Sequence, residues 1–439
     1  MKFSVIIPAY NAVKWIKKCL DSVFEAASAY ASSPSSALSA DDSPAVEVIV
    51  VDDGSTDDTV AAVIEFMKDA VPVQEDLPSS VAVTTNASGA AVAHCAFSAF
   101  AGSCNIFVYC RPHAGQGAAR NFGLTAAIGD YVWFADADDF IDRNSFLELA
   151  AAVSRKVDLR SADAVPLDTG WRCDCPDVVA VCAADVDENA EDAVARRRFS
   201  WKGLSDCSGR QFLASGRKLY VGTPFSVYRR AFLDKYPLRF IEGIYHEDAE
   251  FTPRAWFYAS RIGFVDEVLY YVRLTSGSTT RSANPKRAFD SLRVAQKSLA
   301  AFRDSLESCS AAYAPFATDP ASHVVTPASA ANAGTASVPA ISSCDAPIDR
   351  VPLRRVLRGF DDLLASDLNH ALKNCYRFDA GTNRELNRCV FEGRSYLFPP
   401  LRRSSHLKFR LEYIAFLLFP RHTVEVYRLM HLFVRTAIA

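Results

Sequence analysis

Long hydrophobic runs are missing from this chain of 439 residues. No apolar stretch reaches the roughly 18 residues that a membrane-spanning helix needs. The first residues, MKFSVIIPAYN, carry one lysine and only a short apolar run, which predicts a first β-strand and argues against a signal peptide. We therefore expect a protein that stays on the cytoplasmic side.

Paired cysteines and a charge excess are missing as well. The 12 cysteines include no CxxC pair, so we expect reduced thiols and no disulfide framework. Cys173, Cys175 and Cys182 form the tightest group, but their spacing matches none of the usual zinc ligand pairs, and metal binding there is left open. A formal net charge of -3 gives no indication of a nucleic-acid partner.

The first 150 or so residues alternate between strand patterns and helix patterns. Apolar strand patterns occupy residues 3–7, 46–51, 106–110 and 131–135, and helix patterns occupy residues 12–24, 59–68 and 114–128. This alternation predicts an α/β fold with a mostly parallel sheet covered by helices. Acidic residues follow two of the strands, and in open α/β sheets ligands bind at the carboxyl ends of the strands.

The remaining organisation is set by composition. The α/β domain is predicted over residues 1–285, with surface insertions near 27–44, 70–104 and 156–200, where Ala/Ser-rich or aperiodic sequence replaces the alternation. The chain continues with a predicted helix (286–310), a flexible Ala/Ser/Pro-rich linker (311–349) and a helical C-terminal region (350–439), whose first part, 351–378, is expected to form a helical pair.

The stretch WFADADDFID places several carboxylates behind a buried strand. An EF-hand calcium loop starting at Asp136 is excluded by the sequence. Such a loop needs an oxygen ligand, a glycine and a glutamate at the positions where this chain has Phe140, Ile141 and Leu147, respectively. Asp136 and Asp138 can instead reach one ligand together. Mg²⁺ or Mn²⁺ is typically held by one or two carboxylates plus phosphate oxygens, so the pattern favours a nucleotide-sugar site.

Five motifs then occur in a fixed order: SVIIPAYNA, VIVVDDGSTDDT, GAARNFGL, YVWFADADDFI and HEDAEF, followed by VLYYVRLTSGSTTRS. Over about residues 1–285, this set resembles glycosyltransferase family 2, a group of inverting enzymes with the GT-A fold. The resemblance implies a nucleotide-diphosphate sugar as donor, a UDP-sugar first of all. It also implies a glycan or polyprenyl-linked acceptor in cell-surface polysaccharide biosynthesis.

On the donor side, the resemblance implies a role for each matching residue. Pro8 and Tyr10 would line the pocket for the base, and Asp53 would hydrogen-bond that base. Arg120 would lie near the phosphates or the ribose. For Asp139 and Asp142, which follow the DxD-type motif, capping of the next helix together with Asn144 is the simpler interpretation.

The chemistry is assigned in the same way. The resemblance makes Asp136 and Asp138 the DxD-type motif, with Asp136 also contacting the sugar and Asp138 as the first choice of metal ligand. Asp248 would be the general base that takes the proton of the acceptor hydroxyl. Glu247 and His246 would lie on the acceptor side.

The residues Thr252 and Pro253 affect how that base is presented. Thr-Pro is typical of an N-cap followed by the first helical position, so the helix is expected to begin after the acidic pair or to be kinked within it.

The C-terminal stretch LRRSSHLKFRLEYIAFLLFPRHTVEVYRLMHLFVR mixes Arg and Lys with Leu, Phe and Tyr. This mixture predicts a basic amphipathic helix lying on an anionic membrane, and hence a protein peripheral on the inner face of the plasma membrane. Packing on the catalytic domain, or a dimer contact, is the alternative.

Without a QxxRW sequence or membrane spans, a processive synthase is disfavoured. We expect a metal-dependent, non-processive hexosyltransferase. A non-catalytic nucleotide-sugar-binding or scaffold subunit of a polysaccharide assembly complex remains the alternative.

Overall fold

A computed structural model describes residues 1–33, 44–70, 80–85, 91–101, 104–155, 175–187, 195–275, 284–313, 351–373, 375 and 378–438. One mixed β-sheet carries helices against it and continues into a helical C-terminal region. The strands are β1 (Phe3–Ala9), β2 (Val46–Asp52), β3 (Ser80–Thr85), β4 (Ala91–Ala101), β5 (Cys104–Cys110), β6 (Tyr131–Phe134), β7 (Phe140–Ile141), β8 (Val178–Asp187), β9 (Arg196–Arg197), β10 (Ser226–Arg229) and β11 (Ile262–Leu274).

The helices follow the same chain order. Those of the first 285 residues are α1 (Ile16–Ala31), α2 (Thr59–Ala70), α3 (Gln116–Ala126), α4 (Ser145–Ser154), α5 (Gly209–Ala214), α6 (Arg230–Lys235) and α7 (Glu247–Tyr258). The later ones are α8 (Pro285–Asp290), α9 (Gln296–Tyr313), α10 (Leu353–Lys373), α11 (Ala380–Glu392), α12 (Arg394–Arg403), α13 (Leu407–Leu418) and α14 (Thr423–Ile438). A π-helical segment, Ser291–Ala295, joins α8 to α9.

The sheet has the strand order β3-β4-β5-β2-β1-β6-β10-β8-β11-β7, with β9 paired to β8. Its centre, β5-β2-β1-β6, is parallel, and Phe3 of β1 lies between Val46 of β2 and Tyr131 of β6. The flanks are largely antiparallel, because β4 pairs with β5 and β10 pairs with both β6 and β8 in that sense. The predicted mostly parallel sheet is therefore confirmed only for the centre, and the whole sheet is mixed.

Helix α1 begins and ends later than the sequence pattern predicts. Ile16, Leu20 and Val23 are fully buried as expected, but Val13 precedes the helix and is 42% exposed. The helix continues to Ala31, and the buried ring of Tyr30 meets Phe3 edge-on at 5.7 Å. The start of the first predicted insertion is therefore wrong over residues 27–31, and residues 34–43 lie outside the described part.

The other predicted insertions also contain sheet strands. β3 and β4 fall within 70–104, where Val and Thr favour strands although the composition has low complexity. β8 falls within 156–200, and its first seven residues are buried between β10 and β11. Cys182 lies in this strand, Cys175 precedes it, and Cys173 lies outside the described residues. Among the residues with described positions, no group of three metal-ligand side chains occurs.

The C-terminal region packs on the α/β domain and does not stand apart from it. Phe360 of α10 contacts Phe257 of α7 and Phe302 of α9, with ring centroids 6.0 and 5.7 Å apart. The expected helical pair at 351–378 is wrong, since α10 runs as a single helix over most of it. The predicted linker lies outside the described residues from 314 onward. Helix α10 therefore stands against the domain that carries the site.

Candidate active site

A cleft of about 1900 Å³ opens at the edge where the parallel strands β1, β2, β5 and β6 end. Residues that follow these strands form one wall, and residues of α7 and α10 form the other. All residues of the predicted site line this cleft: Pro8, Tyr10, Asp53, Arg120, Asp136, Asp138, His246, Glu247 and Asp248. The structure thus brings together side chains that are up to 240 positions apart in the sequence, counting from Pro8 to Asp248.

Tyr10 and His113 form an aromatic surface at one end of the cleft. Their rings stack with centroids 4.4 Å apart, and Tyr10 is 48% exposed, so one flat face is open to a ligand. Asp53 is buried, and its carboxylate accepts hydrogen bonds from the backbone N–H groups of Ala114 (3.1 Å) and Gly115 (2.7 Å). These bonds hold the loop before α3 in place. The predicted contact of Asp53 with a base stays a prediction.

Asp139 is one of the two aspartates expected to cap α4, and for this residue the expectation is wrong. Its buried carboxylate accepts hydrogen bonds from the Tyr270 hydroxyl and from the Arg273 backbone N–H, both at 2.8 Å. Strand β11 supplies both donors, which sequence reasoning did not connect with this loop. Asp142 does lie at the start of α4, where its Oδ1 accepts the backbone N–H of Asn144 at 2.8 Å. Asp139 therefore fixes the loop that presents Asp136 and Asp138.

Those two carboxylates differ in their partners. Asp136 accepts hydrogen bonds from Gln116 Nε2 (2.8 Å) and Arg120 Nη2 (2.7 Å). Burial, followed by the negative charge of Asp136, raises the pKa of Asp138 to about 6. Within the described residues, no cationic side chain forms an ion pair with the Asp138 carboxylate. This donor set fits a divalent cation, which would be held by Asp138 and Asp136 together with phosphate oxygens.

Arg120 connects the two acidic motifs of the cleft. Its side chain is 3% exposed, and its guanidinium bonds Asp136 through Nη2 and Glu247 through Nη1. Burial raises the pKa of Glu247 to about 7, Arg120 opposes that shift, and Asp248 adds to it. The sequence places Arg120 near the phosphates or the ribose, which stays a prediction, and in the structure two carboxylates of the cleft bind its guanidinium. Its position indicates that it fixes the start of helix α7 relative to the loop that follows strand β6.

Helix α7 begins at Glu247 and not after Thr252, so the predicted later start is wrong. Pro253 lies inside the helix, and the Thr252 hydroxyl donates a hydrogen bond to the carbonyl of Val221 (2.8 Å) and does not cap. His246 precedes the helix with φ at 64°, a left-handed conformation that is uncommon outside glycine. This turn aims Asp248 from the first helical turn into the cleft, and burial raises its pKa.

Helix α10 contributes a further part of the wall that sequence reasoning missed. Asp367 and His370 line the cleft, and the His370 ring lies 6.0 Å from the ring of His246. Burial, followed by the charge of Asp248, raises the pKa of Asp367 to about 7. No sequence signal singled out these residues, because the α10 pattern is that of an ordinary amphipathic helix. His113 and Gln116, by contrast, stand beside the glycines of HAGQG, which could have suggested them.

The motifs of the first wall also match a known family. The sequence model of "Glycosyl transferase family 2" matches residues 4–101 and 90–160, which include Pro8, Tyr10, Asp53, Arg120 and the Asp136 loop. Residues 4–160 thus match glycosyltransferase family 2. The resemblance inferred from the motifs is thereby confirmed.

Relatives and solved structures agree with this assignment. Poly(ribitol-phosphate) beta-N-acetylglucosaminyltransferase TarS of Staphylococcus aureus strain Mu50 is 26% identical over 300 residues, which is 67% of this chain and 40% of TarS. The uncharacterized glycosyltransferase YibD of Escherichia coli K12 is 24% identical over 280 residues, 64% of this chain and 63% of YibD. The chain therefore spans less than two thirds of the length of either relative.

The crystal structure of S. aureus TarS 1–349 with UDP-GlcNAc superimposes with a TM-score of 0.57 at 18% identity, covering 100% of this chain and 92% of that chain. The likeness confirms the predicted GT-A fold with its helical C-terminal region. No helix in the described part of the chain has both the length and the hydrophobicity needed to cross a membrane.

Proposed function

We propose that this glycosyltransferase moves a single sugar, with inversion, from a UDP-sugar to a hydroxyl of a glycan or a lipid-linked acceptor. The observation that carries the proposal is that Asp138 and Asp248 line one cleft, and that Arg120 binds the acidic neighbours of both, Asp136 and Glu247. A donor bound along the Tyr10 wall would have its diphosphate near Asp136 and Asp138 and its sugar directed toward Asp248.

In this mechanism Asp248 is the base. The acceptor oxygen attacks the anomeric carbon on the face opposite the diphosphate, and Asp248 takes the hydroxyl proton as the new C–O bond forms. The bond from the anomeric carbon to the phosphate oxygen breaks, and its electron pair leaves with UDP. Burial raises the pKa of Asp248, which makes the carboxylate a better proton acceptor. Mg²⁺ or Mn²⁺, when bound by Asp138 and Asp136, supplies positive charge for the leaving diphosphate.

UDP is proposed as the nucleotide because a structural relative is solved with UDP-GlcNAc. The exposed face of Tyr10 and the adjoining Pro8 and Asp53 would hold the uracil, since a flat base gains by stacking on an aromatic ring. The name of TarS, a poly(ribitol-phosphate) beta-N-acetylglucosaminyltransferase, favours a cell-surface polymer as acceptor. A non-processive reaction is proposed because the sequence has no QxxRW motif.

Donor hydrolysis tests the proposal without knowledge of the acceptor. The purified chain is incubated with UDP-GlcNAc and Mn²⁺, and UDP release is measured together with UDP affinity by calorimetry. Asp248→Asn should lower turnover by roughly 10² to 10⁴ and keep UDP affinity, because a positioned base contributes that range. Asp234→Asn removes an exposed carboxylate far from the cleft and serves as the control. EDTA should stop turnover.

The same assay decides the alternative. UDP binding with no turnover in the wild type, across UDP-, GDP- and dTDP-sugars, would favour the non-catalytic binding or scaffold subunit. Turnover that Asp248→Asn leaves intact would contradict the assignment of the base.

We also propose that α13 lies on an anionic membrane surface at the inner face of the plasma membrane. Five apolar side chains recur on one side of this helix and are between 51% and 67% exposed: Leu407, Leu411, Ile414, Leu417 and Leu418. Exposed basic side chains border them at Arg402, Lys408, Arg410 and Arg421. The predicted single amphipathic helix is divided here, since α13 ends before Pro420 and α14 packs through Val424 and Tyr427.

Vesicle co-sedimentation tests this contact. The wild type should bind vesicles rich in phosphatidylglycerol more than vesicles of phosphatidylcholine alone, because cations and apolar side chains act together. The double variant Leu411→Ser and Ile414→Ser should lose binding, and Leu429→Ser on α14, where Leu429 is 57% exposed, should keep it. Absence of vesicle binding, with a dimer that the double variant abolishes, would show that a second copy covers this face instead.

A further inference from the structure

One face of α10 forms part of the cleft wall. The cleft-lining residues of this helix are Gly359, Asp362, Leu363, Ser366, Asp367 and His370. Their spacing of three, one, three, one and three positions is that of a single helical face. The wall therefore extends beyond the residues matched by the family model, which end at 160.

This face is held firmly against the α/β domain. A Cβ at position 359 would lie 2.2 Å from the carbonyl oxygen of Leu213. Only glycine at this position therefore lets α10 pack so closely against α5. Next to it, the buried carboxylate of Asp361 pairs with Arg303 (3.2 Å) and Arg403 (3.0 Å). Side chains that extend from α10 into the cleft consequently have defined positions relative to Asp248.

The three aspartates of α10 differ in their partners. Asp361 has its two arginines, and Asp362 accepts hydrogen bonds from Ser404 Oγ and from the backbone N–H of Ser405 (2.8 Å). Asp367 forms neither a hydrogen bond nor an ion pair within the described residues, and the negative charge of Asp248 disfavours its ionised form. An ionised carboxylate without a partner, placed under the influence of another carboxylate, destabilises the folded state. Its position is explained if a ligand supplies the partner.

The neighbours of Asp367 indicate the chemistry of that ligand. The rings of His246 and His370 lie edge to face, and partial desolvation, with a further contribution from the positive charge of Arg287, lowers the pKa of both imidazoles, that of His246 to about 4. At neutral pH each ring is therefore uncharged and offers one hydrogen-bond donor and one acceptor. Lys286, on the same wall, is engaged with Asp290 and with the carbonyl of Gly243. A carboxylate beside neutral imidazoles suits hydroxyl groups better than a phosphate.

We propose that Asp367 and His370 form an acceptor subsite, in which the Asp367 carboxylate accepts a hydrogen bond from a hydroxyl neighbouring the one that is glycosylated. The ligand class is a neutral polyhydroxyl compound, a sugar or a polyol. This inference rests on the proposed function, because the attacked hydroxyl must lie at Asp248. Asp367 is a specificity residue that positions the acceptor and takes no proton from it.

The experiment measures how the donor sugar is divided between an added hydroxyl compound and water. The full chain is given UDP-GlcNAc and Mn²⁺ with glycerol, ribitol or methyl β-glucoside as probe, and glycoside is measured against free sugar released by water. The ratio cancels changes in donor binding and in the basicity of Asp248. Loss of a hydrogen bond to a charged group weakens binding by about tenfold or more. Asp367→Ala should therefore lower the ratio of glycoside to free sugar by about tenfold, and Asp367→Asn should lower it by less.

Matched measurements separate this effect from misfolding. Glu392→Gln removes a carboxylate of α11 that lies outside the cleft lining and should leave the ratio unchanged. The UDP affinity and melting temperature of both Asp367 variants should equal those of the wild type or exceed them.

Each outcome has a defined meaning. An unchanged ratio in Asp367→Ala overturns the subsite, as does a wild type that hydrolyses the donor but glycosylates none of the probes. A wild type with no turnover at all would refute the proposed function, and the subsite would fall with it.

Discussion

Replacing Arg120 with glutamine should destabilise the fold in a pH-dependent way. The guanidinium is 3% exposed and bonds Glu247, whose side chain is 6% exposed, and Asp136, whose side chain is 29% exposed. Removing one partner of a buried ion pair costs about 3–5 kcal/mol. Because Asp136 can regain water, we expect the lower end of that range, a loss of about 3 kcal/mol in the free energy of unfolding at pH 8.

The pH dependence follows from Glu247. Its pKa is about 7 in the folded protein against an ordinary value of 4.5, so its contribution to stability is present below pH 4.5 and is lost as the pH rises through 7. Without Arg120, which opposes the shift, the folded pKa rises further. Near pH 5 Glu247 is protonated with or without Arg120, and the variant should lose only about 1 kcal/mol there.

Urea unfolding at pH 5 and pH 8 measures both values. The double variant Arg120→Gln and Glu247→Gln should recover most of the loss at pH 8, because no uncompensated buried charge then remains at Glu247. A loss below about 1 kcal/mol at pH 8, an equal loss at both pH values, or no recovery in the double variant would refute this account of Arg120.

Three further perturbations address other parts of the cleft. Gly359→Ala should lower stability by about 1–3 kcal/mol because its Cβ would meet the Leu213 carbonyl, whereas Ser366→Ala on the same helix should not; a thermal melt compares them. Tyr10→Ala should weaken UDP binding in calorimetry by roughly three- to tenfold through lost stacking, and an unchanged affinity would remove Tyr10 from the base pocket. Asp367 has a folded pKa of about 7 against 3.8, so its ionisation destabilises the wild type as the pH rises from 4 through 7. Asp367→Asn should match the wild type near pH 4 and be more stable at pH 8, by about 1–2 kcal/mol after allowance for water in the open cleft; lower stability at pH 8 would contradict this.

The part of the cleft wall formed by Pro8, Asp53 and Asp136 was largely predictable from local sequence. A buried strand followed at once by polar residues predicts a strand end, and parallel neighbours bring such ends to one edge, as happens for Pro8, Asp53 and Asp136. The roles of Asp139 and Thr252 were predicted wrongly, because capping was inferred from neighbouring residues only. Their actual partners, Tyr270 and Val221, come from other elements.

The strands within the predicted insertions were missed for a related reason. Ala, Ser and Val carry little periodic signal, so the sequence pattern gave no sign that β8 enters the sheet between β10 and β11. Strand pairing depends on which edges are free once the other strands have assembled, and composition does not record this.

The resemblance to glycosyltransferase family 2, the GT-A fold and the order of the acidic motifs could be predicted from short segments, because each segment forms one strand end or one helix start. The packing of the elements, by contrast, joins Arg120 to both Asp136 and Glu247 and brings Asp367 under the influence of the Asp248 charge. Arg120 and Glu247 are 127 positions apart, and Asp248 and Asp367 are 119 apart. Such contacts are set by how α3, α7 and α10 pack around the sheet, and no local pattern encodes that packing.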